Sequence, residues 1–284
     1  QILLLGAMLG FTACNDWFDV NPKTSIPTDK QFSSESGFKD ALTGVYIKMG
    51  SATLYGADLS YGYIDELAGI YSGYPGYETS IVFDQSMVYD YDNKFKTKKN
   101  AIYADFYNVI ANVNNIIAHT ESKREVLVTP RYYETMRGEA LALRAFLHFD
   151  LLRLFGPIYK EEPNAKAIAY RTTYDRVPTP ILTAQAVVEA VLKDLHEAEN
   201  LLKSSDPLDF FTDPYDEGYK SKNGFLINRE FRMNLFAVKA MLARVYCYKG
   251  DAESKALALK YAREVIDANQ HFKLIDAQSA ANYN

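Results

Sequence analysis

The run from Glu139 to Pro157, EALALRAFLHFDLLRLFGP, constrains the fold of this chain more than any other stretch. Apolar residues recur along it at helical spacing in two rows. One row is Met136, Ala140, Leu143, Leu147, Leu151 and Leu154; the other is Leu141, Ala145, Phe149 and Leu152. Adjacent rows make a wide apolar surface, so the spacing predicts a buried helix with neighbours on more than one side. Ala140, Ala142 and Ala145 leave room for a second helix to come close. Gly156 is expected to end the helix with a positive φ, and Pro157 cannot continue it. Arg153, in the last turn, suits the negative end of the helix dipole. On the residues alone this helix is core, including its His148-x-Asp150 pair.

Other helices are predicted on both sides of it. Ser34 or Ser36 caps one whose apolar side is Phe38, Ala41, Leu42, Val45 and Tyr46, and Gly50 ends it. A shorter helix is expected within 58–70, carrying Asp65 and Glu66. A long one runs from Asn93 to Thr120 along Ile102, Phe106, Val109, Val113 and Ile116. It contains Asn108, Asn112, Asn114 and Asn115. Asparagine is a mediocre helix former, so some of these are expected to be held by nearby loop backbone. Thr183 caps a helix that reaches Lys203. Helices from Arg232 to Lys249 and from Glu253 to Asn269 are joined at Gly250-Asp251. Their small residues and glycine turn resemble a tetratricopeptide unit, with a generic helical hairpin as the alternative. Cys247, inside the first of this pair, is expected to be a small buried hydrophobe. The fold class is therefore all-α, tetratricopeptide-like helical hairpins with long irregular loops. Fewer than three full repeats are visible and no closing helix precedes Asn284, so the chain is expected to be a fragment of a longer one.

The first thirteen residues, QILLLGAMLGFTA, are apolar and end in small residues before Cys14. They read as the remnant of a secretory signal peptide, too short to span a bilayer. Phe11-Thr12-Ala13-Cys14 resembles a bacterial lipobox, which makes Cys14 the expected lipidation site. Residues 14–28, with Pro22 and Pro27, form a tether, and 29–284 form the helical domain. With Cys14 acylated, Cys247 has no disulfide partner in the chain. A net charge of −5 and the lack of a basic cluster argue against nucleic acid as a partner.

Chemistry-bearing motifs are missing. The four histidines are isolated, and the sequence holds no HExxH, CxxC, phosphate-binding glycine loop or G-x-S-x-G elbow. Neither a cofactor nor a metal is expected, and no residue is assigned a catalytic role. What stands out is 71–92, YSGYPGYETSIVFDQSMVYDYD, where tyrosines alternate with short polar residues and turn formers. Aromatic faces cover the C–H faces of sugars while small polar groups bond their hydroxyls. The expected ligand-binding residues are Tyr71, Tyr74, Tyr77 and Tyr91, with Asp84 and Asn93 as polar partners. A loop lying on the body with half-buried tyrosines is the plainer reading of the same stretch.

Four features resemble the SusD/RagB family of outer-membrane nutrient-binding lipoproteins from Bacteroidetes. They are CNDWFDVNP after the lipobox, the Phe32 to Tyr46 pattern FSSESGFKDALTGVY, the run RGEALALRAFLHFDLLRLFGPI, and DLHEAENLL with the later hairpin. Pro157 follows Gly156 directly, whereas the family often places its proline a little later. The resemblance covers nearly the whole chain but only about the N-terminal half of a family member. It implies a lipid-anchored, cell-surface protein of the outer membrane that captures oligosaccharides and passes them to a SusC-like TonB-dependent transporter, without chemistry of its own. A tetratricopeptide scaffold binding protein or peptide segments, and a helical glycan-cleaving enzyme, are the other readings. The family's binding residues lie in variable loops, so none is carried over by motif.

Overall fold

The computed structural model of the protein describes residues 28–70, 94–206, 224–226, 229–269 and 271–272. Eight α-helices and one strand pair make up these residues: α1 (Thr28–Gln31), α2 (Glu35–Met49), α3 (Tyr63–Leu67), α4 (Lys94–Ser122), α5 (Tyr132–Phe155), β1 (Lys166–Ala169), β2 (Ile181–Thr183), α6 (Ala184–Lys203), α7 (Leu235–Lys249) and α8 (Ala252–Ile266). The chain folds as antiparallel helical hairpins, the architecture expected from the helical periods.

Helix α5 is the centre. Sixteen of its 24 residues are buried, so it has almost no solvent face. It packs on α4 and α6 along most of its length and also touches α2 and α7. A close approach to α6 occurs at Gly138, a residue outside the three alanines expected to allow one, where a Cβ would come within 2.9 Å of the Leu202 side chain. Helix α6 buries only one side, through Val187, Val188, Val191, Leu195 and Leu202. Helices α7 and α8 form the last hairpin, and α7 packs back on α6.

Local signals explain the helix ends. Ser34, not Ser36, caps α2 by accepting a bond from the Gly37 amide at 3.3 Å. Thr183 caps α6 through the Ala186 amide. Asn234 caps α7 and Asp251 caps α8 in the same way. Gly250 between them has φ 77, the left-handed conformation that glycine takes without steric cost.

Several expectations need correction. Gly156 closes α5 with φ −87 and ψ 173, so it is extended and not left-handed. Glycine is required there for space: a Cβ would lie 2.5 Å from the Leu152 carbonyl oxygen and 2.7 Å from its Cδ1. Cys247 is exposed, because it falls on the outer face of α7 while Val245 and Tyr246 turn inward. The short helix expected within 58–70 is present as α3, which carries Asp65 and Glu66 and has turns on either side. Helix α5 starts at Tyr132, after Arg131 with φ 74. Helix α7 starts three residues later than predicted and α8 stops at Ile266. The long connection after α5 contains an antiparallel strand pair, Lys166 opposite Thr183 and Ala169 opposite Ile181. Among the described residues no helix is long and apolar enough to cross a membrane.

Candidate ligand-binding surfaces

The polar residues of α5 are the first place to look for a site, because a buried charge requires a reason. Three clusters account for them. Near the start of α5, Glu139 is fully buried and receives hydrogen bonds from the Tyr46 hydroxyl, from Arg229, and from Arg232 Nε at 2.8 Å. The Tyr46 hydroxyl in turn accepts the Met233 amide at 2.8 Å. Burial, with the neighbouring Glu139 charge, pushes the Tyr46 phenol well above its ordinary value, so it stays a donor.

One turn further, Arg144 makes a two-pronged pair with Asp194 of α6, at 2.7 and 2.8 Å, and also donates to Asn114 Oδ1 of α4 at 3.1 Å. Burial opposes the guanidinium charge, but the Asp194 carboxylate outweighs it and holds Arg144 above the ordinary arginine value. Asn114 donates onward to the Arg171 carbonyl at 3.0 Å, so one of the four asparagines does hold loop backbone. His148 donates from Nδ1 to the Arg144 carbonyl at 2.9 Å, and its Nε2 accepts the Arg171 amide at 3.0 Å. That pattern requires the neutral ring, because a proton on Nε2 would face a donor. Burial, the larger cause, agrees: it brings His148 down to about 3.

Asp150, nearer the end, accepts from Tyr55 at 2.9 Å and from Arg244 of α7 at 2.9 Å, with Arg153 at 3.9 Å. His148 and Asp150 therefore serve different clusters and do not act as a pair. These clusters tie α2, α4, α6, α7 and both irregular connections to α5. Most of their donors and acceptors are matched within the protein, as in a structural network; in the first cluster Arg229 Nε and one Nη, one Nη of Arg232 and Asp206 Oδ1 are buried without a hydrogen bond, with Arg229 Nε 3.5 Å from Asp206 Oδ1. Among the described residues no group of three or more His, Cys, Asp or Glu is placed to hold a metal ion.

Two concavities lie among the described residues. The first, about 310 Å³, has an aliphatic floor of Leu59, Ile64, Leu67 and Leu154 and is bounded by Asp150, Arg153 and Arg244. Its charged rim is already engaged in the third cluster. The second, about 450 Å³, lies between α2 and α4, with the start of the described chain and Tyr174 at its edges. Its walls are polar, and they come from residues that sequence reasoning did not single out as a site. Asp40 and Lys48 stand two helical turns apart on α2, and Asn112 and Asn115 stand one turn apart on α4. Only the asparagine richness of α4 signalled anything there. The residues expected to bind ligand, Tyr71, Tyr74, Tyr77, Asp84, Tyr91 and Asn93, lie outside the described residues, as does Cys14.

Comparison with known proteins fits this architecture. The family described as starch-binding and associating with the outer membrane, SusD-like, matches residues 16–212. A SusD-like protein of Formosa agariphila is 23% identical over 265 residues, which is 90% of this chain and 43% of that protein. A SusD superfamily structure from Bacteroides thetaiotaomicron superposes with a TM-score of 0.65 at 20% identity, over 88% of this chain and 50% of the other. A laminarin-binding SusD-like protein superposes with a TM-score of 0.61 at 17% identity, over 86% of this chain and 47% of the other. The chain thus spans about half the length of the relatives it matches. With the family matched across most of the chain and the helical scaffold shared with solved members, the protein belongs to the SusD-like family of carbohydrate-binding proteins associated with the outer membrane.

Proposed function

We propose that this chain is the scaffold half of a surface lipoprotein that captures oligosaccharides and hands them to a SusC-like TonB-dependent transporter. The observation that carries the reading is the family match over 16–212, which includes the tyrosine-rich stretch. In this proposal Cys14 carries the lipid anchor, residues 14–28 are the tether, and 29–284 belong to the folded domain. Tyr71, Tyr74, Tyr77 and Tyr91 supply rings for sugar faces, and Asp84 and Asn93 bond hydroxyls. The protein binds and delivers, and cleaves nothing. Support also comes from the neighbour that binds laminarin, a neutral glucan, on a scaffold of the same fold. The polar side chains of α5 are engaged within the protein, which leaves recognition to the loops and grooves.

Affinity electrophoresis and calorimetry of the intact protein against a glycan panel test this. Tyr74→Ala with Tyr77→Ala should weaken glycan binding at least tenfold, since one stacked aromatic contributes about 0.5–1.5 kcal/mol beyond its buried area. The melting temperature should stay nearly unchanged. Unaltered affinity removes these rings from the site. Cys14→Ser should release the protein from membranes, and continued lipid labelling refutes the anchor. A transporter that co-purifies while no glycan binds favours a protein-binding scaffold. Release of reducing sugar shows an enzyme.

A further inference from the structure

Glycine inside a helix costs about 0.5–1 kcal/mol relative to alanine, so each interior glycine calls for an explanation. The fold supplies one for Gly37, where a Cβ would sit 1.6 Å from the Gln31 carbonyl oxygen. It supplies one for Gly138, which faces the Leu202 side chain. It supplies none for Gly44. Among the described residues a Cβ there would meet nothing within 4 Å, and the backbone is ordinary helix. Gly44 lies midway between Asp40 and Lys48 on one face of α2, and that face is the wall of the 450 Å³ groove. A large side chain at this position would project into the groove.

Several groups around that opening are unspent. Among the described residues Asp40, Lys48 and the Tyr174 hydroxyl have no hydrogen-bond or ion-pair partner, and Asn115 Oδ1 is buried without one. Asn112 uses its amide nitrogen on the Asn108 carbonyl at 2.8 Å. Beneath them Phe32 and Val45 make a small apolar floor, and the Tyr174 ring is 52% exposed at the edge. This is a combination of one ring face, a strip of hydrocarbon, and separate acceptors and donors at fixed spacing.

We infer that the groove between α2 and α4 is a second saccharide-binding site, distinct from the tyrosine-rich stretch and specific for neutral sugar units. The inference rests on the family reading above. Asp40 accepts from hydroxyls and Lys48 donates to them, and their opposite charges leave no net preference for an anion. Tyr174 covers an axial C–H face. A protein-docking core would be depleted of such charged groups, and the volume falls in the range of small-molecule sites, about 300–1,000 Å³.

Calorimetric titration of the full chain with a panel of neutral oligosaccharides, maltoheptaose and laminarihexaose included, decides it. The wild type should bind its best glycan at two sites. Gly44→Phe, which fills the groove, should leave one site without lowering the melting temperature. Asp40→Ala and Tyr174→Ala, both at partner-free positions, should each weaken the same site about tenfold and leave folding unchanged. Tyr74→Ala with Tyr77→Ala should remove the other site and spare this one. If the groove variants leave stoichiometry and affinity unchanged while the tyrosine variants abolish binding, this inference fails and the proposed function stands. If the wild type binds no neutral glycan of the panel, both fail. If Gly44→Phe ends co-purification of the transporter with glycan binding intact, the groove is a protein interface and the inference is wrong.

Discussion

Helix α5 and the α2–α4 groove both present charged and amide side chains, and they use them in opposite ways. In α5, Glu139, Arg144, His148 and Asp150 are buried or nearly so, and each makes at least one bond to a residue outside the helix. In the groove, Asp40, Lys48 and Tyr174 face solvent and have no protein partner among the described residues. Polar groups that are matched internally specify a structure; those left over at a concavity are available to a ligand. The comparison separates what builds the scaffold from what the scaffold offers. It also explains why the strongest sequence motif of the chain is not its site.

The largest break in this comparison comes from removing one member of a buried cluster. Glu139→Ala removes the main counter-charge of Arg229, which is 1% exposed, and leaves it only Asp206 at 3.5 Å. Loss of one partner of such a pair costs about 3–5 kcal/mol, which chemical denaturation will read. A loss under 1 kcal/mol would show that the cluster is not structural.

Acid gives an intermediate effect. His148 is held neutral in the fold down to about 3, against 6.5 for the free side chain. Between those values the unfolded chain binds a proton that the folded chain does not, so stability is full above pH 6.5 and falls as the pH drops through that window. The slope from this group approaches about 1.4 kcal/mol per pH unit. Urea titrations at pH 7 and pH 5 should show it, and His148→Gln should flatten it. An unchanged slope in that variant would move the titration elsewhere.

The smallest effect has the opposite sign. Gly44→Ala should stabilise the protein by about 0.5–1 kcal/mol, because it improves helix propensity and meets no neighbour. Gly37→Ala should destabilise it, because the added Cβ collides with backbone at Gln31. If both glycines resist alanine equally, the groove wall is more tightly packed than the geometry indicates.

The reading of sequence against structure divides along the same line. Helical period and cap residues are local, so α2, α4, α5 and α6 were legible to within a few residues, with Ser34 and Thr183 marking two starts. The burial of α5 was legible because its apolar rows leave no polar side. The strand pair at 166–183 was not, since strands of four and three residues carry almost no periodic signal. Cys247 misled because residue type suggests burial, while the side to which α7 turns it depends on packing.

By itself the sequence determined the helices, their caps and the central place of α5, because these follow from spacing along a single strand of residues. Only the tertiary structure decided which polar residues are spent. Arg144 and Asp194 lie 50 residues apart and Tyr46 and Glu139 lie 93 apart, and nothing local links either pair. Likewise only the packing of α2 beside α4 turned Asp40, Gly44, Lys48, Asn115 and Tyr174 into one groove. Hydrogen bonding acts over about 3 Å of space whatever the distance along the chain, so partnership, and with it the difference between scaffold and site, becomes visible only once the chain is folded.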